Sequence, residues 1–323
     1  MALNNPFLIG EVTVKPGSRA NISLPVADLY TSTSLSMPVQ VICGRRPGPV
    51  LFVSAAIHGD ELNGVEIIRR LLRLKILSSI RGTLIAVPIV NVHGFLNQSR
   101  YLPDRRDLNR SFPGSAKGSI AARLANTFFK QIVSKANYGI DLHTGAINRS
   151  NLPQIRGNLD DEKTLELANA FGAPVVINSN IRDNSLRACV ADMGVPVLIY
   201  EAGEALRFDD ICIRAGLRGV LNIMRTIGML PAKRPGRKKV SPLLARSTSW
   251  VRAPDSGIFI TDVQLGNSVS KGQRLGSISD PLGDSSEIMK APFDGIVIGR
   301  SNLPLAHEGD ALFNLSLIHI SEP

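Results

Sequence analysis

The chain has 323 residues, 44% of them hydrophobic and 20% charged, and its net charge is +10. This composition is typical of a globular protein of about two domains and excludes a disordered or fibrous chain. The longest apolar run, at 50–57, falls far short of the ~20 residues that span a bilayer, and residues 1–6 lack the features of a secretory signal. We therefore expect a cytoplasmic protein with no membrane partner.

Seven of the ten excess positive charges lie between residues 231 and 252, in a segment without acidic residues. We interpret residues 231–249 as a solvated basic linker between two domains. A nucleic-acid partner would depend on this segment alone, so it is the less favoured interpretation. The cysteines are odd in number and widely spaced, which favours reduced thiols at Cys43, Cys189 and Cys212.

Short alternating stretches in residues 1–49 predict edge strands and turns. Residues 50–230 then alternate buried strands with amphipathic helices, which predicts an α/β domain with a mostly parallel sheet and flanking helices. The predicted strands are 50–57, 83–90, 138–142, 175–177 and 195–200. The predicted helices are 60–77, 115–136, 160–171, 184–193 and 209–227.

Residues 250–317 predict a second, all-β domain because they contain an internal repeat. The segment 253–258 reappears at 291–296 with the same Ala-Pro start and Gly-Ile end. Two such half-motifs predict a small barrel or sandwich. Residues 318–323 do not continue the pattern and are interpreted as a tail.

The motif Ala-Ile-His-Gly-Asp-Glu at 56–61 lies between a predicted buried strand and a predicted helix. His58 and Glu61 are three residues apart, so in a helical turn their side chains reach the same point. His143 follows the predicted strand 138–142, and ligand sites in α/β sheets gather at the carboxyl ends of strands. Two histidines and a glutamate are a standard catalytic zinc set, so we expect one zinc ion per chain.

Glu201 follows the apolar run 197–200 at the end of another predicted strand. A carboxylate there is costly to bury without a partner, so Glu201 is a candidate general base, with Glu204 as the alternative. A salt bridge to a neighbouring arginine is the other interpretation of Glu201. The segment 100–110 is dense in arginine, and guanidinium groups bind carboxylates, which implies an acidic substrate.

The order of these motifs resembles the succinylglutamate desuccinylase/aspartoacylase family, a branch of the zinc carboxypeptidase fold. The resemblance extends from residue 40 to residue 228 and depends on His58, Glu61, Arg100-Tyr101, Asp107 to Arg110, His143 and Glu201. It implies that His58, Glu61 and His143 are the zinc ligands. Asp141, two residues before His143, is then a candidate for supporting that ligand.

The resemblance also implies roles for the remaining residues. Glu201 would activate water and pass the proton to the leaving amine, and Arg100 would polarise the scissile carbonyl. Asn109 and Arg110 would hold a substrate carboxylate. Arg187 precedes the Glu201 strand and is a further candidate for substrate contact.

The fold that the resemblance implies is a zinc-carboxypeptidase-like α/β domain followed by a small C-terminal β domain. That second domain resembles biotinyl/lipoyl hybrid barrels, but a carrier role for Lys290 is not expected because the predicted hairpin tip, 280–286, lacks a lysine. The chain departs from the family pattern after the second predicted strand, 83–90. Many family members carry Asn-Pro there, whereas this chain reads Asn91-Val92-His93-Gly94, and we interpret His93 as a turn residue rather than a substrate contact.

The expected function is zinc-dependent hydrolysis of the amide bond of an N-acyl amino acid or a related small N-acylated amine. The expected partner is a small acidic N-acylated substrate, and the sequence leaves a homo-oligomer open. One alternative is a metallocarboxypeptidase that acts on short peptides with the same residues. The other is a non-catalytic binding module.

Overall fold

The structure is a computed structural model that describes residues 2–179, 182–191, 193–232 and 241–318. The first ten strands are β1 Phe7–Ile9, β2 Val12–Val14, β3 Ser18–Asp28, β4 Ser34–Cys43, β5 Arg46–Ala55, β6 Arg81–Val87, β7 Tyr138–Gly145, β8 Arg149–Gly157, β9 Val175–Asn178 and β10 Val197–Glu204. The next eight are β11 Leu243–Arg252, β12 Gly257–Thr261, β13 Ser268–Val269, β14 Arg274–Ser279, β15 Ser286–Lys290, β16 Gly295–Ser301, β17 Leu305–Ala306 and β18 Ala311–Ile318. The helices are α1 Asn63–Leu72, α2 Val92–Leu96, α3 Ile120–Gln131, α4 Glu162–Phe171, α5 Leu186–Ala191 and α6 Asp210–Thr226.

A mixed sheet forms the centre of the molecule, with the strand order β13-β16-β18-β11-β9-β8-β10-β7-β5-β6-β4-β3. The four strands β10, β7, β5 and β6 are mutually parallel, as the alternating pattern predicts. Beyond them the sheet is mixed, since β9 pairs in parallel with both β8 and β11 whereas other neighbours are antiparallel. Strand β8, which the sequence analysis did not identify, pairs antiparallel with β10, and β4 pairs antiparallel with β6.

Strand β5 shows why the central strands of the sheet have continuously apolar sequences. Leu51 and Val53 pack on one face with α1, α4 and α6, whereas Phe52 packs on the other face with α3 and the N-terminal strands. Successive side chains of a strand point to opposite faces, so a strand covered on both sides has no solvent-facing position. The functional side chains are consequently left for the ends of these strands.

Helix ends differ from the predicted ones where local capping decides them. Helix α3 begins at Ile120 rather than at 115, since Ser119 Oγ accepts a hydrogen bond from Ala122 N at 3.3 Å and so caps it. Helix α1 begins at Asn63 because residues 56–62 form the turn that carries the first motif. Among the described helices, none is both long enough and apolar enough to cross a membrane.

Of the strands β11 to β18, which we call the β domain, β11, β13, β16 and β18 continue the central sheet, and the other four form a separate sheet in the order β15-β14-β12-β17. Strand β11 begins at Leu243 and pairs with β9, so residues 243–249 are not linker as predicted. Strand β16 pairs with β8, and the pairings β8–β9–β11–β18–β16–β8 close into a ring. The predicted tail begins one residue too early, since Ile318 ends β18. Residues 233–240, with five of the basic linker side chains, and 319–323 lie outside the described residues.

Candidate active site

His58, Glu61 and His143 meet at the carboxyl ends of β5 and β7. Glu61 Oε1 lies 2.7 Å from His58 Nδ1, and Glu61 Oε2 lies 2.8 Å from His143 Nδ1. One ligand atom from each residue falls within 4.8 Å of the other two, and all three side chains are buried. The turn that carries His58 and Glu61 needs Gly59, since a Cβ there would lie 2.0 Å from the carbonyl carbon of Gly94.

A second carboxylate lies behind each imidazole. His143 Nε2 is 2.6 Å from Asp141 Oδ2, whose other oxygen accepts a hydrogen bond from Ser54 Oγ at 2.8 Å. His58 Nε2 is 3.2 Å from Asp107 Oδ1. A carboxylate at Nε2 selects the tautomer with its proton there, which leaves Nδ1 free to bind a metal. The spacing of two residues from Asp141 to His143 signalled one of these contacts; Asp107 was known only as part of the arginine-rich segment.

The electrostatics of this cluster favour positive charge between the three groups. Burial opposes ionisation of Glu61, but the imidazoles of His58 and His143 outweigh it and hold the pKa of this carboxyl well below its usual range. Burial lowers the pKa of His143, and the carboxylates of Asp141 and Glu61 raise it to a value well above the ordinary one. The site therefore provides, in a buried place, the negative surroundings that a cation requires.

Arg100 lies beside the cluster rather than in it. Its Nη1 is 3.3 Å from Glu61 Oε1, and its Nη2 is 3.0 Å from Asp107 Oδ2. These carboxylates raise the pKa of Arg100 although burial lowers it, so the guanidinium stays charged. One guanidinium thus reaches the edge of the His58–Glu61–His143 cluster, where it can interact with an oxygen anion held there.

Glu201 is placed next to this cluster by the parallel pairing of β10 with β7, in which it is the register neighbour of His143. Of the two sequence interpretations of Glu201, the salt bridge is present in the structure, and the role of general base stays a prediction. Its carboxylate lines the cavity at the cluster and also forms an ion pair with Arg156 Nε at 3.1 Å. Glu204 is engaged elsewhere, since its two carboxylate oxygens accept hydrogen bonds from Asn148 N and Asn302 Nδ2.

The cavity has a volume of about 450 Å³ and is strongly cationic. Six arginines line it, namely Arg100, Arg110, Arg149, Arg156, Arg182 and Arg187. Among the described residues that line it, the carboxylates are Glu61 and Glu201, which already form ion pairs with Arg100 and Arg156 respectively. Sequence reasoning missed Arg149 and Arg156 because β8 was not predicted as a strand.

One wall of the cavity comes from the β domain. Thr248 and Trp250 of β11 and Asn314 of β18 line it together with the residues of the α/β region. The guanidinium of Arg149 lies 5.1 Å from the centre of the Trp250 ring, which is a cation–π contact. No sequence motif signalled these residues, since the pairing of β9 with β11 joins segments about 70 residues apart.

The structure brings the remaining predicted residues to the same cavity. Asn109 Oδ1 accepts a hydrogen bond from Leu186 N at 3.0 Å, which connects the start of α5 to the segment that carries Asn109. Arg187, the next residue of α5, donates hydrogen bonds to Ser179 O and Ser179 Oγ, and burial lowers its pKa. His93 lies in α2 and is not among the residues that line the cavity, although it is buried.

Comparison with known proteins agrees with this geometry. Residues 47–227 match the model of the succinylglutamate desuccinylase/aspartoacylase catalytic domain. The N-alpha-acetyl-L-2,4-diaminobutyric acid deacetylase of Halomonas elongata is 24% identical over 303 residues, which cover 90% of this chain and 89% of that protein.

Solved structures resemble the whole described molecule. A succinylglutamate desuccinylase/aspartoacylase from Rhodobacter sphaeroides superposes with a TM-score of 0.80 and 26% identity over 93% of this chain and 96% of its own. The product-bound ectoine utilization protein EutE (DoeB) from Ruegeria pomeroyi gives a TM-score of 0.81 and 24% identity, with coverage of 93% and 94%. The family match spans more than half of the 323 residues. The chain therefore belongs to the succinylglutamate desuccinylase/aspartoacylase family.

Proposed function

We propose that this protein is a zinc-dependent deacylase that hydrolyses the amide bond of an N-acyl amino acid or a related small N-acylated amine. The observation that carries the proposal is the buried cluster of His58, Glu61 and His143 at the floor of a cationic cavity. The named relatives support it, because one is a deacetylase of an acetylated amino acid. One zinc ion per chain is the expected cofactor.

The donor set fits zinc. Two neutral imidazoles and one carboxylate are a standard catalytic set, with a position left open for substrate or water. The carboxylates of Asp107 and Asp141 behind the rings favour Nδ1 as the ligand atom of both histidines. When bound, zinc supplies Lewis acidity, which makes water a nucleophile near neutral pH and polarises a carbonyl oxygen.

The residues of the chain then have separate tasks. Glu201 accepts the proton of the attacking water and returns it to the amide nitrogen, so that the amine can leave. Arg100 directs its guanidinium at the scissile carbonyl and stabilises the negative charge that develops on its oxygen. The ion pairs of Arg100 with Glu61 and Asp107 support this role, since they hold the guanidinium beside the metal ligands.

The charge of the cavity supports a small acidic substrate. Asn109 uses its carbonyl to hold α5, which leaves its amide group as a donor, and Arg110 and Arg187 line the same cavity. These residues suit a carboxylate of the substrate. N-α-acetyl-L-2,4-diaminobutyrate, the substrate class named by one relative, carries an additional ammonium group. Within the part of the lining that the structure describes, Glu61 and Glu201 are the carboxylates, so we expect acylated acidic amino acids to be preferred.

The test begins with zinc per chain in protein purified without added metal, for which about one equivalent is expected. Hydrolysis of N-acetyl, N-succinyl and N-formyl derivatives of acidic amino acids is then compared with that of dipeptides and of N-α-acetyl-L-2,4-diaminobutyrate. Faster cleavage of dipeptides would favour the metallocarboxypeptidase. Zinc binding without hydrolysis of any amide would favour the non-catalytic binding module.

Replacement of the proposed base is the sharper test. Glu201→Ala should lower turnover by about 10²–10⁴-fold, because proton transfer is lost, while the zinc content stays unchanged. Unchanged turnover in this variant would remove Glu201 from the mechanism.

Four further expectations stay predictions. They are a cytoplasmic location, the zinc-carboxypeptidase-like fold, the hybrid-barrel resemblance of the β domain, and a homo-oligomer.

A further inference from the structure

The carboxylate of Glu201 is held by two side chains of β8. Asn151 Nδ2 donates a hydrogen bond to Glu201 Oε2 at 3.0 Å, and Arg156 Nε forms an ion pair with the same oxygen at 3.1 Å. Within the described part of the chain, both of these polar contacts fall on Oε2. The other oxygen, Oε1, is therefore the one left to take a proton from water, and β8 sets its direction.

Asn151 occupies the point at which β8 lies between two partner strands. It is the register neighbour of Gly203 in β10 and of Gly299 in β16. A Cβ at Gly299 would lie 3.0 Å from Asn151 Oδ1 and 3.1 Å from Asn314 Cβ. Unstrained contacts between carbon atoms are about 3.5–4.0 Å, so the missing side chain at 299 gives the Asn151 amide its room. Because Gly299 does not have a positive φ, its backbone accepts alanine.

The β domain also holds the residues that precede Asn151. Asn302 Nδ2 donates a hydrogen bond to Ser150 Oγ at 2.7 Å. The guanidinium of Arg149 lies over the ring of Trp250 at 5.1 Å. Three consecutive residues of β8 thus contact the β domain, and the third of them holds the proposed base.

We propose that Asn151 is a positioning residue for Glu201, and that the β domain, through Gly299, fixes the side chain of Asn151. The inference rests on the proposed function, in which Glu201 moves protons during amide hydrolysis. The hydrogen bond from Asn151 restrains the carboxylate so that Oε1 meets the attacking water. This restraint matters in the chemical step, so its loss lowers kcat and leaves KM and zinc binding unchanged.

The first experiment compares Asn151→Ala with Ser150→Ala in the zinc-loaded enzyme. A hydrogen bond to a charged group is worth about a tenfold to hundredfold change in rate, so Asn151→Ala should lower kcat by that factor at constant KM and zinc content. Ser150→Ala loses its bond from Asn302 but not the contact with Glu201, so its kcat should stay within about twofold of the original. Equal losses in the two variants, or a loss only in KM, would overturn the proposal.

The contribution of the β domain is tested by a double-mutant cycle. Gly299→Ala should lower kcat because its new methyl group displaces the Asn151 amide. The double variant combines Gly299→Ala with Asn151→Ala, so the new methyl group has no Asn151 amide to displace. Its kcat should therefore be no lower than that of Asn151→Ala alone. Additive losses would show that the methyl group acts through another contact, which overturns the role of Gly299.

A structural measurement separates this proposal from the proposed function. If the unmodified protein hydrolyses none of the N-acyl amino acids, the proposed function fails, and crystal structures of the protein and of Asn151→Ala still decide the positioning role. The Glu201 carboxylate is expected to rotate or shift in the variant. A carboxylate that keeps its place without Asn151 would overturn the proposal whatever the reaction is.

Discussion

Asp141 should control how tightly His143 binds a metal. Its Oδ2 lies 2.6 Å from His143 Nε2, and Ser54 Oγ holds its other oxygen at 2.8 Å, with all three groups buried. Two substitutions separate the charge of this contact from its hydrogen bond. In Asp141→Asn, the amide can turn its oxygen to His143 and its nitrogen to Ser54, so that only the charge is lost. In Asp141→Ala, the Nε2 proton has no acceptor.

The expected magnitudes follow from this geometry. Loss of a carboxylate behind a metal-bound histidine typically costs 10–100-fold in affinity, which is about 1.4–2.8 kcal/mol. Asp141→Asn should lie near the lower value and Asp141→Ala near the upper one. Asp107→Asn should have the smaller effect at His58, because that contact is longer, at 3.2 Å, and Asp107 is less buried.

The assay is a competition titration of the metal-free proteins with a chelator of known zinc affinity near neutral pH. Asp262→Asn is the matched control, since this exposed carboxylate pairs with Arg274, is not among the described residues that line the cavity, and should leave the affinity unchanged. The reasoning would be refuted if the zinc affinities of both Asp141 variants lay within about threefold of the original. It would also be refuted if Asp141→Asn lost more zinc affinity than Asp141→Ala.

Two further predictions concern stability. In the metal-free protein, the pKa of His143 is raised by Asp141 and Glu61, so its contribution is complete below about pH 6.5 and is lost as the pH rises through the folded-state pKa. Urea unfolding should therefore show a free energy that falls as the pH rises from neutrality, and a rising profile would contradict the shift. Gln154→Met removes two buried amide atoms that have no hydrogen-bond partner in the described ranges. It should raise the free energy of unfolding by about 1–3 kcal/mol, and a decrease in urea stability would show that the amide is satisfied.

The residues of the proposed zinc site could be predicted because each lies next to a strongly apolar strand. The runs that precede His58, His143 and Glu201 are covered on both faces, and such strands are recognisable without any knowledge of their partners. Once these strands are taken as neighbours, their carboxyl ends bring the polar side chains together. The proposed zinc ligand set was thus available from local patterns and the order of motifs.

Strand β8 could not be predicted because its side chains serve the cavity instead of the core. Asn151 and Arg156 replace the apolar positions that would mark a strand, and Pro153 argues against one. In the structure, Pro153 lies between the last residue of β8 that pairs with β16, Asn151, and the first that pairs with β9, Gln154. A missing N–H is tolerated at this change of partner, and no local pattern announces it.

The closed ring of strand pairings, which joins the β domain to the α/β region, affects which segments two relatives can exchange by recombination. The proposed zinc ligands lie within residues 47–227, whereas Thr248, Trp250 and Asn314, which line the same cavity, lie beyond them. A crossover between two relatives in the segment before β11 would keep one parent's hydrolytic chemistry and bring in the other parent's cavity wall. We therefore expect recombination at a single site to alter substrate choice while leaving the proposed zinc site intact. For the same reason, a chain cut off at residue 230 would keep the proposed zinc ligands but lose the part of the cavity wall that Thr248, Trp250 and Asn314 form.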